Sequence, residues 1–154
     1  MDYINALLMS RIFLATLFSW FLAQVMKSII EITKNKPRSA LKILKYIFWT
    51  TGGMPSSHSS VVTALVTSIG FDRGIGDPLF IVVLFFALLV IRDALGVRRA
   101  AGLQAHTLNR LIALLKKERR LNIKPVKEIN GHSLSEVGVG ALLGFFIALA
   151  FFIL

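Results

Sequence analysis

An all-α, polytopic membrane helix bundle is the fold this sequence predicts, and three observations predict it. Of the 154 residues, 55% are hydrophobic and only 17% charged, with a mean hydropathy of +0.71; a water-soluble domain of this length has too little interior to hide so much apolar surface. The apolar residues fall into four runs near the ~20 residues a helix needs to cross a bilayer. The charges are concentrated between those runs. A single domain over residues 1–154 is expected, with about four transmembrane helices and two amphipathic helices at the interface.

The first run, Ser10 to Ile32, is too long for a signal peptide, and Met26-Lys27-Ser28 is not a small-residue cleavage site. From Ala40 to Thr51, Leu44, Ile47 and Phe48 share one helical face, with Lys42 and Lys45 away from it and Tyr46 and Trp49 suited to headgroup depth. The second run is Pro55 to Phe71, and the Gly- and Asp-rich stretch from Gly70 to Pro78 is a tight turn. The third run is Pro78 to Val97. From Arg99 to Leu121, Leu108, Leu111, Ile112 and Leu115 form a stripe at helical spacing, and His106, Arg110 and Lys117 lie on another face. Both amphipathic stretches read as helices on the membrane surface or against a partner, with His106 as a solvated polar-face residue. The fourth run is Ser133 to Leu154.

The chain has no cysteine, which excludes disulfide, thiol and thiolate–metal chemistry. Its net charge of +10 would suit a nucleic-acid partner. No nucleic-acid motif accompanies the charge, however, so none is expected, and loop topology and anionic lipid account for it better. Residues 33 to 54 carry five basic residues and no acid, +5; residues 98 to 131 carry nine against Glu118 and Glu128, +7; the turn from 71 to 78 carries Asp72, Arg73 and Asp77, −1. The positive-inside bias then puts both long connections in the cytoplasm and both termini outside, with the cell inner membrane as the expected location.

Threaded this way, the chain brings Lys27, His58, Asp93 and His132 to one membrane face. Two of its three histidines thus stand at the mouths of apolar helices, in Gly53-Met54-Pro55-Ser56-Ser57-His58 and Gly131-His132-Ser133-Leu134-Ser135-Glu136. Ionisable groups at such positions usually have a task. Helix N-termini attract anions, Ser56 and Ser57 add donors and Lys27 adds a cation, so a phosphoryl group is the natural guest. One histidine can attack phosphorus while the other protonates the leaving oxygen. Glu136, one turn after His132, can hold that imidazole in one tautomer.

Pro55-Ser56-Ser57-His58 resembles the Pro-Ser-Gly-His motif of the type 2 phosphatidic acid phosphatase and vanadium haloperoxidase superfamily. His132 to Glu136 resembles its His-x-x-x-Asp segment, with Glu for Asp. Lys27 and Lys34 have the spacing of the family's Lys and Arg, with Lys in the Arg place and Asn35 where proline is usual. With Asp93-Ala-Leu-Gly-Val-Arg-Arg-Ala-Ala-Gly102, the chain looks most like the superfamily's divergent bacterial and plant branch.

The resemblance implies a metal-independent lipid phosphomonoester hydrolase without cofactor, acting through a phosphohistidine, and an inner-leaflet site suits a phospholipid of the phosphatidylglycerophosphate or phosphatidate type. It implies His132 as nucleophile, Glu136 as its orienting carboxylate and His58 as general acid, with Lys27, Lys34, Ser56 and Ser57 around the phosphate. Three departures stand out. The family arginine six positions before the nucleophile is Val126 here, so Arg98, Arg99, Lys124 or Lys127 must supply that cation, with Asp93 holding an arginine in place. Ser57 replaces a glycine. The usual six spans are four.

Each residue also has a plainer explanation. Ser133 and Glu136 fit a capping box, and on spacing alone that account of Glu136 is the better one. Pro55 and the serines suit any helix start. Lys27 and Arg92 can snorkel to headgroups, and Asp93 can simply pair with Arg98 or Arg99. Gly138, Gly140, Ala141 and Gly144 suit close helix packing, and such small faces also admit a homodimer. Val126 favours an alternative, a non-catalytic phospholipid-binding or transport-related relative. A divalent site at His58, His132, Asp93 and Glu136 lacks the usual ligand spacings, so no metal is expected.

Overall fold

A computed structural model describes residues 2–35, 53–119, 123–126, 128 and 131–154. They form six helices: α1 (Asp2–Met9), α2 (Arg11–Asn35), α3 (Ser57–Arg73), α4 (Pro78–Leu95), α5 (Val97–Arg119) and α6 (Leu134–Ile153). The four apolar runs and the second amphipathic stretch are helical, each within a few residues of its expected bounds. The amphipathic helix expected over Ala40 to Thr51 lies outside the described residues. The short α1 was not anticipated; Ser10 ends it and starts α2, its carbonyl accepting from the Leu14 N–H at 2.9 Å and its hydroxyl from the Phe13 N–H at 3.4 Å.

The other helix starts follow from local chemistry. Ser56 caps α3, and Asp77 caps α4 through the Leu79 N–H at 2.7 Å, followed by Pro78, whose missing N–H costs a first turn nothing. Gly74, at φ 86°, lets the chain leave α3 in a conformation that a side chain would disfavour. At Gly96 the polypeptide turns from the apolar α4 into the polar-faced α5.

What is buried identifies the solvent. The largest fully buried side chains are Pro55 and five serines, whereas Phe18, Trp20, Phe21, Phe85, Phe86, Leu89 and Phe146 face outward. That is the inverse of a water-soluble domain and matches a bundle whose outer surface meets lipid. Among the described residues three helices are long and apolar enough to cross a membrane: α2, α4 and α6, with α4 forming the apolar part of a run that continues into α5. These are three of the four expected spans, and α3 is the remaining one. With 17 residues, α3 is at the short end of a crossing helix and is rich in serine. It can be so because α2, α4 and α6 surround it, and it needs little lipid-facing surface of its own.

The helices meet along stripes of small residues four apart. Ala15, Ser19 and Ala23 line α2, Ser60, Ala64 and Ser68 line α3, and Gly140, Gly144 and Ala148 line α6; all are buried. Within lipid there is little hydrophobic drive between helices, so close backbone approach and buried polar links must hold them. Both are present. A Cβ at Gly140 would lie 2.4 Å from the Ser56 carbonyl oxygen, and one at Gly144 would lie 2.1 Å from that of Ser60. The Ser19 and Ser60 hydroxyls bond at 2.6 Å between α2 and α3.

Each stripe continues into a polar residue at the same end of the bundle. On α2 it reaches Lys27, on α3 it reaches the cap Ser56, and on α6 it runs back through Glu136 to His132. The packing that joins the helices therefore also brings Lys27, Glu136 and His132 together, with the Ser56 backbone against Glu136.

Candidate active site at the paired histidines

His132 is fixed from three directions. Its N–H donates to the Ala94 carbonyl at the end of α4, at 3.2 Å. Gly131 before it lies so close to the Arg99 backbone that an added Cβ would come within 2.4 Å of the Arg99 Cα. The imidazole is only 5% exposed, and its Nδ1 lies 3.1 Å from Glu136 Oε2. An ionised carboxylate can only accept, so Nδ1 carries the proton and the free lone pair is left on Nε2.

Glu136 answers both readings of its position at once. The same Oε2 accepts from the Ser133 N–H at 3.0 Å, while the Ser133 hydroxyl accepts from the Glu136 N–H, completing a capping box. The Glu136 carbonyl also accepts the Ser56 N–H at 2.9 Å, tying the starts of α3 and α6 together. The residue that orients His132 thus sits at the junction of the two helices that carry the histidines.

His58, in the first turn of α3, is exposed at the mouth, with its ring centroid 6.4 Å from that of His132. Arg98, His132, Lys27 and Asp93 all lie within electrostatic reach of it. Lys27 is buried, 3% exposed, runs beside Gly53 and has Glu136 as its opposing charge. Asp93 Oδ2 accepts from Arg98 Nε at 2.6 Å, both half-exposed, so the arginine is held where α4 passes into α5. A buried histidine with a fixed tautomer therefore faces an accessible one, with cations on two sides. Such a pair can present a lone pair and a proton to opposite sides of one small anionic group.

Some residues singled out from the sequence are not brought into this cluster. Lys34 is exposed near the end of α2, about 10 Å further along the helix than Lys27. Ser56 is fully buried, its hydroxyl accepting from the Ser59 N–H and hydroxyl at 3.4 and 3.1 Å; Ser57 is buried beside it. Arg99 is exposed, with its backbone against Gly131. Arg92 is exposed, as a snorkelling residue would be. Among the described residues no three His, Asp or Glu side chains converge closely enough to hold a metal ion.

Val126 is held away from the histidines. Asn109 of α5 clasps the returning chain, its amide donating to the Val126 carbonyl at 2.8 Å and its oxygen accepting the Val126 N–H at 2.7 Å. The same amide donates to Glu128 Oε1 at 2.8 Å, and His106 Nδ1 lies 3.4 Å from Glu128 Oε2. The Asn109 hydrogen bond chiefly holds the Glu128 carboxyl below its ordinary value, against the opposing effect of desolvation and with a smaller contribution from His106. Val126 is thus pinned ten residues along α5 from Arg99, about 15 Å from the level of the histidines, while Arg98 stands beside them. Sequence reasoning missed this clasp because its partners are 17 to 22 residues apart and all are ordinary surface types.

A membrane helix bundle with two histidines facing across a polar mouth defines the class, and residues 8–147 match the Divergent PAP2 family, to which the chain belongs. The chain is also similar to YuiD of Bacillus subtilis (strain 168), described as an uncharacterized membrane protein, at 35% identity over 147 residues, covering 88% of this chain and 90% of the relative. No solved structure matches it.

Proposed function

We propose that the protein hydrolyses a phosphomonoester of a membrane phospholipid, of the phosphatidylglycerophosphate or phosphatidate type, without a metal. The observation that carries this reading is the His132–Glu136 pair facing His58 across 6.4 Å between ring centroids; membership of a phosphatidic-acid-phosphatase-related family supports it. In the first step the Nε2 lone pair of His132 attacks phosphorus, the bond from phosphorus to the lipid oxygen breaks, and protonated His58 gives that oxygen its proton. In the second, neutral His58 takes a proton from water, the oxygen attacks phosphorus, the N–P bond breaks and inorganic phosphate leaves. Lys27 and Arg98 offset the charge on the phosphoryl oxygens, and Glu136 stabilises the cationic imidazole. The lipid-facing flanks of α2 and α4 leave the acyl chains in the bilayer.

The testing experiment is phosphate release by the purified protein from a panel of lipid phosphates, with and without chelator. Release unaffected by chelator is expected, and Arg98→Gln should raise KM about ten-fold or more while Arg99→Gln changes little. Chelator-sensitive release would replace this reading with a metal-dependent one. Val126 favours a second reading, a phospholipid-binding or transport-related relative without catalysis. Retained binding of lipid phosphates with no release from any of them would establish it.

We place the mouth on the cytoplasmic side, because the +5 and +7 connections flank a turn of −1. The natural absence of cysteine makes this directly testable. Single cysteines at positions 35 and 74 are treated in intact cells with an impermeant thiol reagent. Labelling at 74 and protection at 35 is expected, and the reverse would overturn the assignment.

A further inference from the structure

α5 carries a leucine face that nothing among the described residues covers. Leu103, Leu108, Leu111 and Leu114 are each roughly half or more exposed, and the first three, with Gln104 and Thr107, border a shallow groove of about 390 Å³. The opposite side of the helix is occupied. Asn109, which clasps the returning segment, lies two residues from Leu111 and so about 160° around the helix. The roll of α5 is thereby set: the clasped segment is on one side, and the leucines are on the other.

Two features indicate what meets the leucines. The helix follows α4 after the single residue Gly96, so its apolar face continues the outward-facing surface of a membrane-crossing helix. Its flanks are basic, with Arg98, Arg99, Arg110 and Lys116 exposed. A leucine face bordered by arginine and lysine is complementary to a bilayer interface with anionic headgroups, where stems lie along the acyl boundary and charges reach phosphate.

We infer that α5 lies in the headgroup region of an anionic bilayer, leucine face inward, with the segment clasped by Asn109 on the water side. This placement does not depend on the chemistry proposed above. It also sets Arg98 at the depth of lipid phosphates.

The test again uses the cysteine-free background. Leu111→Cys and Ala113→Cys, both at exposed positions on opposite faces, are labelled with an environment-sensitive fluorophore in the full-length protein. They are reconstituted into vesicles of phosphatidylcholine with or without phosphatidylglycerol. The label at 111 should be blue-shifted and quenched by brominated acyl chains, several-fold more with phosphatidylglycerol present, while the label at 113 should respond to aqueous iodide. Equal aqueous quenching at both positions would overturn the inference, as would acyl-chain quenching at 111 indifferent to lipid charge. Disulfide cross-linking of Leu111→Cys between copies would overturn it too, assigning the face to a second molecule.

Discussion

His132→Ala should lower kcat/KM on every lipid phosphate by at least about a thousandfold, equivalent to about 4 kcal/mol of transition-state stabilisation. The residue supplies the nitrogen that bonds to phosphorus, so no choice of substrate can bypass it. His58→Ala should differ in kind, costing about 10²- to 10⁴-fold with a poor alkoxide leaving group and much less with an activated ester that leaves unprotonated. Glu136→Gln separates the two jobs of that carboxylate. Glutamine can still complete the capping box but brings no charge to the imidazole, so melting should hold while turnover falls. Full activity in His132→Ala, or equal losses for His58→Ala on good and poor leaving groups, would sink the assignment of roles.

The largest structural effect should come from Gly144. A Cβ there lies 2.1 Å from the Ser60 carbonyl oxygen and 3.0 Å from the Ala64 nitrogen, both backbone atoms that cannot rotate away. Gly144→Ala must therefore part α6 from α3, breaking the small-residue contact and pulling His132 from His58. Overpacking of this kind costs about 1–3 kcal/mol or more. Gly138→Ala is the matched control, with nothing within 4 Å of its Cβ, and should be neutral or slightly stabilising through helix propensity. Melting in detergent and phosphate release measure both. Equal melting of the two variants would show that the stripe does not hold the bundle.

The sequence announced its helices where apolar runs met clear punctuation. Asp77-Pro78, Gly74 and the Ser133 to Glu136 box mark ends that the structure keeps within two residues. The eight-residue α1 has no such marks and is too short for periodicity to reveal. The central position of α3 was hidden for another reason. Ser60, Ala64 and Ser68 carry little hydropathy signal, and their value lies in letting backbones approach, which only a partner helix reveals. The pairing of His58 with His132 was legible because each stands at a helix start on the same side of the bundle. The reach of Arg98 to His58, and the clasp by which Asn109 holds Val126, join residues 17 or more positions apart, and no local pattern encodes that.

If His132 takes the phosphoryl group, the phosphorylated enzyme can be trapped during turnover. Protein mixed with radiolabelled lipid phosphate is quenched with alkali during turnover, in wild type and in His58→Ala, where slowed hydrolysis should let the intermediate accumulate. A base-stable, acid-labile label is expected that maps to the peptide containing His132 and is absent from His132→Ala. Continued phosphate release with no label on that peptide, or a label that survives the loss of His132, would contradict it.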